Sequence, residues 1–514
     1  MPKFTLLNAA LLILSASSAT LRAEVRLPKL LSDHAVPQRE APIHIWGWAD
    51  PGESVSVTLH GQHRSAAADP LGHWEVFLAP EHAGGPYELQ VAGTNTITLS
   101  DILIGDVWFA SGQSNMEMPL NGFPNSAVLK NAAQEIANAN HPEIRLLHID
   151  KKASTYPLQD QPATWTQCNP ETAASFSAVA YLFGRDIQER EHVPIGLVDS
   201  TWGGTPAEAW VSLGGLSADA SLMPVFSFWA KQADTQADMP ALHQKEQRED
   251  LAAKNANAPK PHHEWHPNLD SWAPAALFNG MVAPATPFTI KGVIWYQGET
   301  NSNNGRANMY ENVFSTLISD WRREWQQGNF PFLFVQISSF KSDERETWGI
   351  VRDAQRRTLD LRNTAMAVSL DVGDPDNVHP PDKQTVAARL ALAARHLAYG
   401  ENIEYSGPLF REATIEGDGM RVWFDHTAGK LISKEQSLPG FEIAGDDHIF
   451  SAATARIEGE TVFVSSPQVS HPRFVRYAWA NAPEATLFNA ADLPASTFTS
   501  EATPLPPCSQ ACEK

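Results

Sequence analysis

The chain has 514 residues, 43% hydrophobic and 19% charged, with 38 Lys and Arg against 59 Asp and Glu, a formal charge of −21. That apolar content excludes intrinsic disorder and collagen-like repetition, and the length is a prior for about two to four domains. The acidic balance excludes a nucleic-acid binder, which needs a basic footprint to release counterions, and disfavours anionic membrane surfaces.

Residues 1–23 read as a secretory signal: Lys3, an apolar run through Phe4, Leu6, Leu7 and 9–14, then small residues. Ser17 and Ala19 suit the −3 and −1 positions of a cleavage site, with Ala23 as a second choice for its end. The run is too short to span a bilayer, and no later stretch reaches that length. The expectation is an exported protein, periplasmic or secreted, without stable membrane insertion. From 24 to 100, short β-type runs (43–48, 54–59, 74–78, 87–91) are broken by turn signals such as Asp50-Pro51-Gly52, which suggests a small sandwich or jelly roll. From 101 to 400, apolar runs at 103–110, 144–149, 195–199, 292–295, 332–337 and 366–371 alternate with helical patterns at 126–139, 177–191, 308–325, 350–361 and 383–399. That alternation predicts an α/β/α core around a parallel sheet. In the last helix Val386, Leu390, Ala393 and Leu397 share a face, Asp382 caps the start and Gly400 ends it. Residues 232–275 interrupt this section as an insertion. From 401 to 514 the pattern is β-rich again, with runs at 420–424, 461–465 and 476–480 and a tail bearing Pro and Cys. Cys508 and Cys512 are close enough in sequence to pair locally, while Cys168 reads as a buried small hydrophobe.

Ligands of a parallel sheet bind beyond the carboxyl ends of its strands, so the residues after each apolar run carry the chemistry. Ser111-Gly112-Gln113-Ser114-Asn115-Met116 follows the first, placing a serine on a turn into a helix, where free N–H groups can hold an oxyanion. Trp202-Gly203-Gly204-Thr205 follows the third, and its paired glycines allow close backbone approach to a ligand. Gln297-Gly298-Glu299-Thr300-Asn301 follows the fourth. Asp374-Pro375-Asp376-Asn377-Val378-His379-Pro380 follows the last, where Asp376 at three residues before His379 can accept the Nδ1 proton and leave Nε2 facing a nucleophile. A rival site, His262-His263-Glu264-Trp265-His266, is one residue short of the zincin spacing, and flanking prolines oppose a long helix.

Four blocks together resemble the sialate O-acetylesterases, a carbohydrate-esterase branch of the SGNH hydrolases. They are Gly105-Asp106-Val107-Trp108 with 111–117; Trp202-Gly203-Gly204-Thr205 with Glu208-Ala209-Trp210; Phe278-Asn279-Gly280-Met281 with 293–301; and Asp371-Val372-Gly373 with 377–380 and Lys383. The likeness runs from about residue 28 to 498, including Arg476-Tyr477-Ala478-Trp479. It implies an SGNH-type fold, with Ser114 as nucleophile, His379 as general base and Asp376 as its orienter. The oxyanion hole would use the Ser114 N–H, the N–H of Gly203 (Gly204 as fallback) and the Gln297 side chain. The implied substrate is an O-acetylated carbohydrate, with no metal or cofactor. Sialic acid is the sugar of the family name, and acetylated xylan or xyloglucan are the alternatives. A non-catalytic carbohydrate-binding protein is the rival from another class. Arg306, Arg322 and Arg352 are the candidate partners for a sialate carboxylate. Among the sixteen Trp, which read chiefly as core, Trp108, Trp202, Trp210 and Trp295 lie in or beside these blocks.

Overall fold

The computed structural model describes residues 24–502, apart from 125–127, 236–238, 262, 264–268 and 344. The expected signal, the Cys508 and Cys512 pair and most of the rival zinc motif lie outside the described residues. Seven strands form the central sheet: β1 (Asp106–Gly112), β2 (His141–Ile149), β3 (Ala163–Cys168), β4 (Ile195–Thr201), β5 (Gly292–Tyr296), β6 (Phe332–Gln336) and β7 (Thr364–Val368). Their order is β7-β6-β5-β1-β4-β2-β3, and every pairing is parallel except β2 with β3. Strand β3 is not predicted by the apolar runs, because Ala163–Cys168 alternates polar and apolar residues in a Pro- and Gln-containing stretch and lacks the continuous run of a strand buried on both faces.

That double burial is visible along β1, where all seven residues are buried. Successive side chains point to opposite faces of a strand. Trp108 therefore meets Phe183 of helix α2 (Ala178–Glu191) edge-on at 5.0 Å, whereas Phe109 meets Trp321 and Trp325 of α3 (Tyr310–Trp325) at 5.6 and 5.2 Å. Helix α1 is the single turn Ser114–Glu117 after β1. Helix α4 covers Trp348–Arg357, and α5 covers Lys383–Leu397, with the Asp382 side chain accepting from the Thr385 N–H at 3.0 Å as its cap. Helices α5 and α2 pack together on one face.

The N-terminal section forms a four-stranded sheet and a two-stranded one, all antiparallel, and its last strand, Thr96–Ile104, runs almost into β1. After α5 the chain builds further antiparallel sheets. Arg352 ties these to the core: it is fully buried and donates to the carbonyls of Ser338, Ala478 and Asn481, each at 3.2 Å. Helix Pro224–Thr235 begins before the expected insertion and runs into its start, and Met239–Asn255, within it, has no buried side chain. Among the described residues no helix is long and apolar enough to cross a membrane. Six Trp, including Trp108, Trp210 and Trp295, are among the largest fully buried side chains, so the tryptophan count is mainly a core property.

Candidate active site

Strand β1 lies at the centre of the sheet with parallel neighbours on both sides, so three strand ends open at one place. Gly112 ends β1 with φ +135°, and a Cβ there would stand 2.2 Å from the Tyr296 carbonyl oxygen of β5. Glycine is therefore required for the chain to leave the sheet against its neighbour. Gln113 N–H then donates to that carbonyl at 3.0 Å, and Ser114 begins α1.

His379 lies on the loop between β7 and α5, and its Nε2 is 2.8 Å from Ser114 Oγ. Phe123 packs edge-on against the imidazole at 5.4 Å. Burial, with the Lys383 charge adding to it, pushes the His379 pKa down to about 4, so the ring is a neutral base at ordinary pH. On the β4 side, a Cβ on Gly203 would lie 3.1 Å from Ser114 Cβ and 3.1 Å from Glu117 Oε2. A side chain at 203 would therefore crowd the serine, and the Gly203 N–H donates to Glu117 Oε2 at 2.5 Å. Lys151 holds the other oxygen of Glu117 at 2.6 Å and lies 5.8 Å from the Trp202 ring centre. Gly204, with φ +71°, gives its carbonyl to Trp272 Nε1 at 2.6 Å.

Two expected residues stand elsewhere. Asp376 is on the His379 loop, but its carboxylate is 81% exposed and pairs with Lys341 Nζ at 3.2 Å. Among the described residues none hydrogen-bonds His379 Nδ1, and the His379 N–H is held by Asn377 Oδ1 at 3.0 Å. The Asn377 N–H donates to the Asp374 carbonyl at 3.1 Å, closing a turn across Pro375 and Asp376 that leaves the Asp376 carboxylate facing solvent. Gln297 is fully buried, and its amide N–H groups are already spent on Thr205 O at 3.2 Å and Asn301 Oδ1 at 2.7 Å, while its oxygen accepts from Tyr310 at 2.9 Å. It braces the loops around the serine and offers no free donor to it.

Three residues from the motif blocks that sequence reasoning left without a role meet directly beneath the pair. Asn115 Oδ1 accepts from Lys383 Nζ at 2.5 Å, and its Nδ2 donates to Glu299 Oε1 at 2.5 Å and to the Val378 carbonyl at 3.0 Å. All three side chains belong to buried residues. Burial pushes the Lys383 pKa down to about 7 and raises that of Glu299. The available signal was a charge inside two of the blocks, Glu299 in the turn after β5 and Lys383 at the start of α5. The candidate sialate partners divide differently. Arg322 donates to the Phe330 and Asn363 carbonyls, and Arg352 is spent on backbone as described. Arg306 pairs with Glu208 at 3.1 Å and lies 4.4 Å from the Trp272 ring centre. Of the rival zinc motif, His263 is described and bonds Asp250 at 2.8 Å.

A family model for a carbohydrate esterase, sialic acid-specific acetylesterase, matches residues 256–397. The sialate O-acetylesterase of Mus musculus is 34% identical over 443 residues, covering 78% of this chain and 78% of that protein. The one from Rattus norvegicus is 31% identical over 547 positions, covering 96% and 97%. The crystal structure of a carbohydrate acetylesterase from Xanthomonas citri is similar at TM-score 0.79 and 36% identity, covering 93% of this chain and 100% of that one. With a paired serine and histidine at the switch point of a mainly parallel sheet, and with that identity over nearly its whole length, the chain belongs to the sialate O-acetylesterase family and is a carboxylic ester hydrolase.

Proposed function

We propose that the protein hydrolyses O-acetyl esters of sugars through an acetyl-enzyme on Ser114. The observation that carries this reading is the 2.8 Å contact between His379 Nε2 and Ser114 Oγ at the end of β1. Neutral His379 takes the Ser114 proton as Oγ attacks the acetyl carbonyl, then gives it to the departing sugar hydroxyl; water, activated by the same imidazole, releases acetate. The tetrahedral oxyanion is met by the backbone N–H of Ser114 and of Gly203. In the resting site the Glu117 carboxylate accepts from Gly203, so the substrate oxygen takes over that bond while Glu117 keeps Lys151. Asp376, at the exposed edge, contributes charge to the His379 loop and no direct hydrogen bond to the ring.

The sugar is proposed to be sialic acid, on the strength of the relatives' names. With Arg322 and Arg352 committed to backbone carbonyls, Lys151 beside Trp202 is the cation placed to meet a sialate carboxylate, and the indole face suits a sugar ring. Acetate release measured side by side on O-acetylated sialic acid and on acetylated xylo-oligosaccharides tests this. Release from the first, with KM raised by Lys151→Ala only for that substrate, is the expected result. Release from the second alone overturns the sialate assignment. Export of the mature chain is proposed from the signal-like residues 1–23 and is tested by the N-terminus of the protein recovered outside the cytoplasm.

A further inference from the structure

One face of the N-terminal section gathers aromatic rings beside a groove. Strands Ile43–Trp48 and His73–Leu78 pair antiparallel, with His44 opposite Phe77, Trp46 opposite Glu75 and Trp48 opposite His73. Side chains alternate between the faces of a strand, so these six share one face, while Ile43, Ile45, Trp74, Val76 and Leu78 are buried on the other. The rings of Phe77, His44 and Trp46 stack in turn, with centres 4.3 and 4.9 Å apart, and Phe77 is 54% exposed. Two adjoining hollows of 680 and 800 Å³ lie along this face and share His44, Glu75, Thr286, Pro287 and Glu324 in their walls. A sugar ring needs an apolar plate for its C–H face and polar groups for its hydroxyls. The ring stack supplies the plate, and Asp69, Glu75 and Gln159 supply acceptors. Among the described residues no Lys or Arg lines either hollow. The two histidines are matched with carboxylates, His44 with Glu75 at 2.9 Å and His73 with Asp69 at 3.7 Å. An anionic sugar would meet carboxylates there with no free cation, whereas a neutral one meets acceptors.

We propose that this groove is a second sugar site, distinct from the Ser114 site, which holds a neutral, unacetylated unit of a longer glycan. The choice of a sugar rests on the carbohydrate substrate of the esterase reading. Two segments of chain lead from the serine turn to the groove. One starts at Lys151, bonded to Glu117, and reaches the groove wall at Leu158 and Gln159. The other starts at Trp272, bonded to the Gly204 carbonyl, and reaches the wall at Phe278, Thr286 and Pro287. They are joined where the Leu158 N–H donates to the Asn279 carbonyl at 2.8 Å and Asn279 Nδ2 donates to the Ser154 carbonyl at 3.1 Å. The stretch from Lys151 to Leu158 spans at most about 25 Å, so the two sites lie within reach of one glycan chain.

The test measures binding of unacetylated xylohexaose and of lactose to the full chain by calorimetry, with sialyllactose as the anionic comparison. Saturable binding of a neutral probe is expected, equal in the parent protein and in Ser114→Ala. Phe77→Ala, which removes the exposed ring of the stack, is expected to weaken it about tenfold while turnover of a small acetyl ester stays unchanged. Should Phe77→Ala fail to fold, Glu75→Ala, which removes an exposed acceptor, decides on the same criterion. Absence of saturable binding by both neutral sugars, or binding that the variant leaves unmoved, overturns the proposal. So does sialyllactose binding more tightly than lactose in a way that Phe77→Ala abolishes, or a dimer that the same variant dissolves with no sugar bound. A parent protein that does not turn over the small ester overturns the esterase reading alone.

Discussion

The two ends of strand β1 are both built on buried charge, and they are finished in opposite ways. At the amino end Asp106 is fully buried and saturated. Arg39 grips it with two bonds of 3.0 and 2.8 Å, Gln38 donates at 2.9 Å and Tyr399 at 3.1 Å. At the carboxyl end, seven residues along, among the described residues Glu299 keeps a buried oxygen with no hydrogen-bond partner, close to the His379 that faces Ser114 through Nε2. A buried network that only holds structure can satisfy every polar atom, and natural cores do so because an unpaired buried group is costly. A network that must pass a proton and admit a substrate oxygen leaves valences open. The difference separates scaffold from chemistry within one strand.

The comparison is broken most easily at the amino end. Asp106→Ala leaves Arg39 half-buried without its partner and should lower stability by about 3–5 kcal/mol in denaturant unfolding. Turnover per folded molecule should stay within about threefold. A selective loss of kcat at unchanged stability would show that the amino end also serves the chemistry. Next in size is Gln297→Ala, which removes the buried amide's bonds to the Thr205 carbonyl, Asn301 Oδ1 and the Tyr310 hydroxyl, while Asn301 keeps Ala207 and Glu208 and Tyr310 keeps the residue-297 carbonyl. It should lower stability by about 1–3 kcal/mol. An oxyanion donor at that position would instead lose about 10²–10³ in kcat with the fold intact, so the two measurements together assign the residue.

Smaller effects sharpen the carboxyl end. Because burial holds the His379 pKa near 4, below its ordinary 6.5, the imidazole stays a free base as pH falls through 6 and protonates only nearer 4. The acid limb of kcat/KM should therefore fall below pH 6; a limb at 6.5 or above would show a ring open to water or bonded to a carboxylate. Least of all should be Asp376→Asn, within about tenfold in kcat, against the roughly 10⁴-fold loss when a buried orienting carboxylate is neutralised. A large loss would mean that Asp376 swings onto Nδ1 when substrate binds.

How far this was legible in the sequence follows from what patterns encode. Double burial writes itself as apolar runs, so six core strands and the last helix with its Asp382 cap are readable, and the strand-end rule leads to Ser114, the Gly203-Gly204 pair and His379, with the family resemblance favouring Gly203. Spacing alone does not report a side chain's direction. Asp376 and His379 have the separation of an orienting pair, yet the loop aims one at water and the other at the serine. Gln297 sits at the right strand end, yet its amide turns inward to Thr205 and Asn301. Glu299 and Lys383 stand in the motif blocks without a role in the sequence, because only the three-dimensional meeting at Asn115 gives them a reason to be buried. Strand β3 was lost because an antiparallel edge carries a weaker apolar signal than its parallel neighbours.

Turnover and melting temperature measured together for Ser114→Ala test the role of the serine most directly. The expected result is a loss of acetate release of about 10⁴-fold or more with the melting temperature unchanged, since the serine hydroxyl supports chemistry and not the fold. Turnover within tenfold of the parent protein would contradict it.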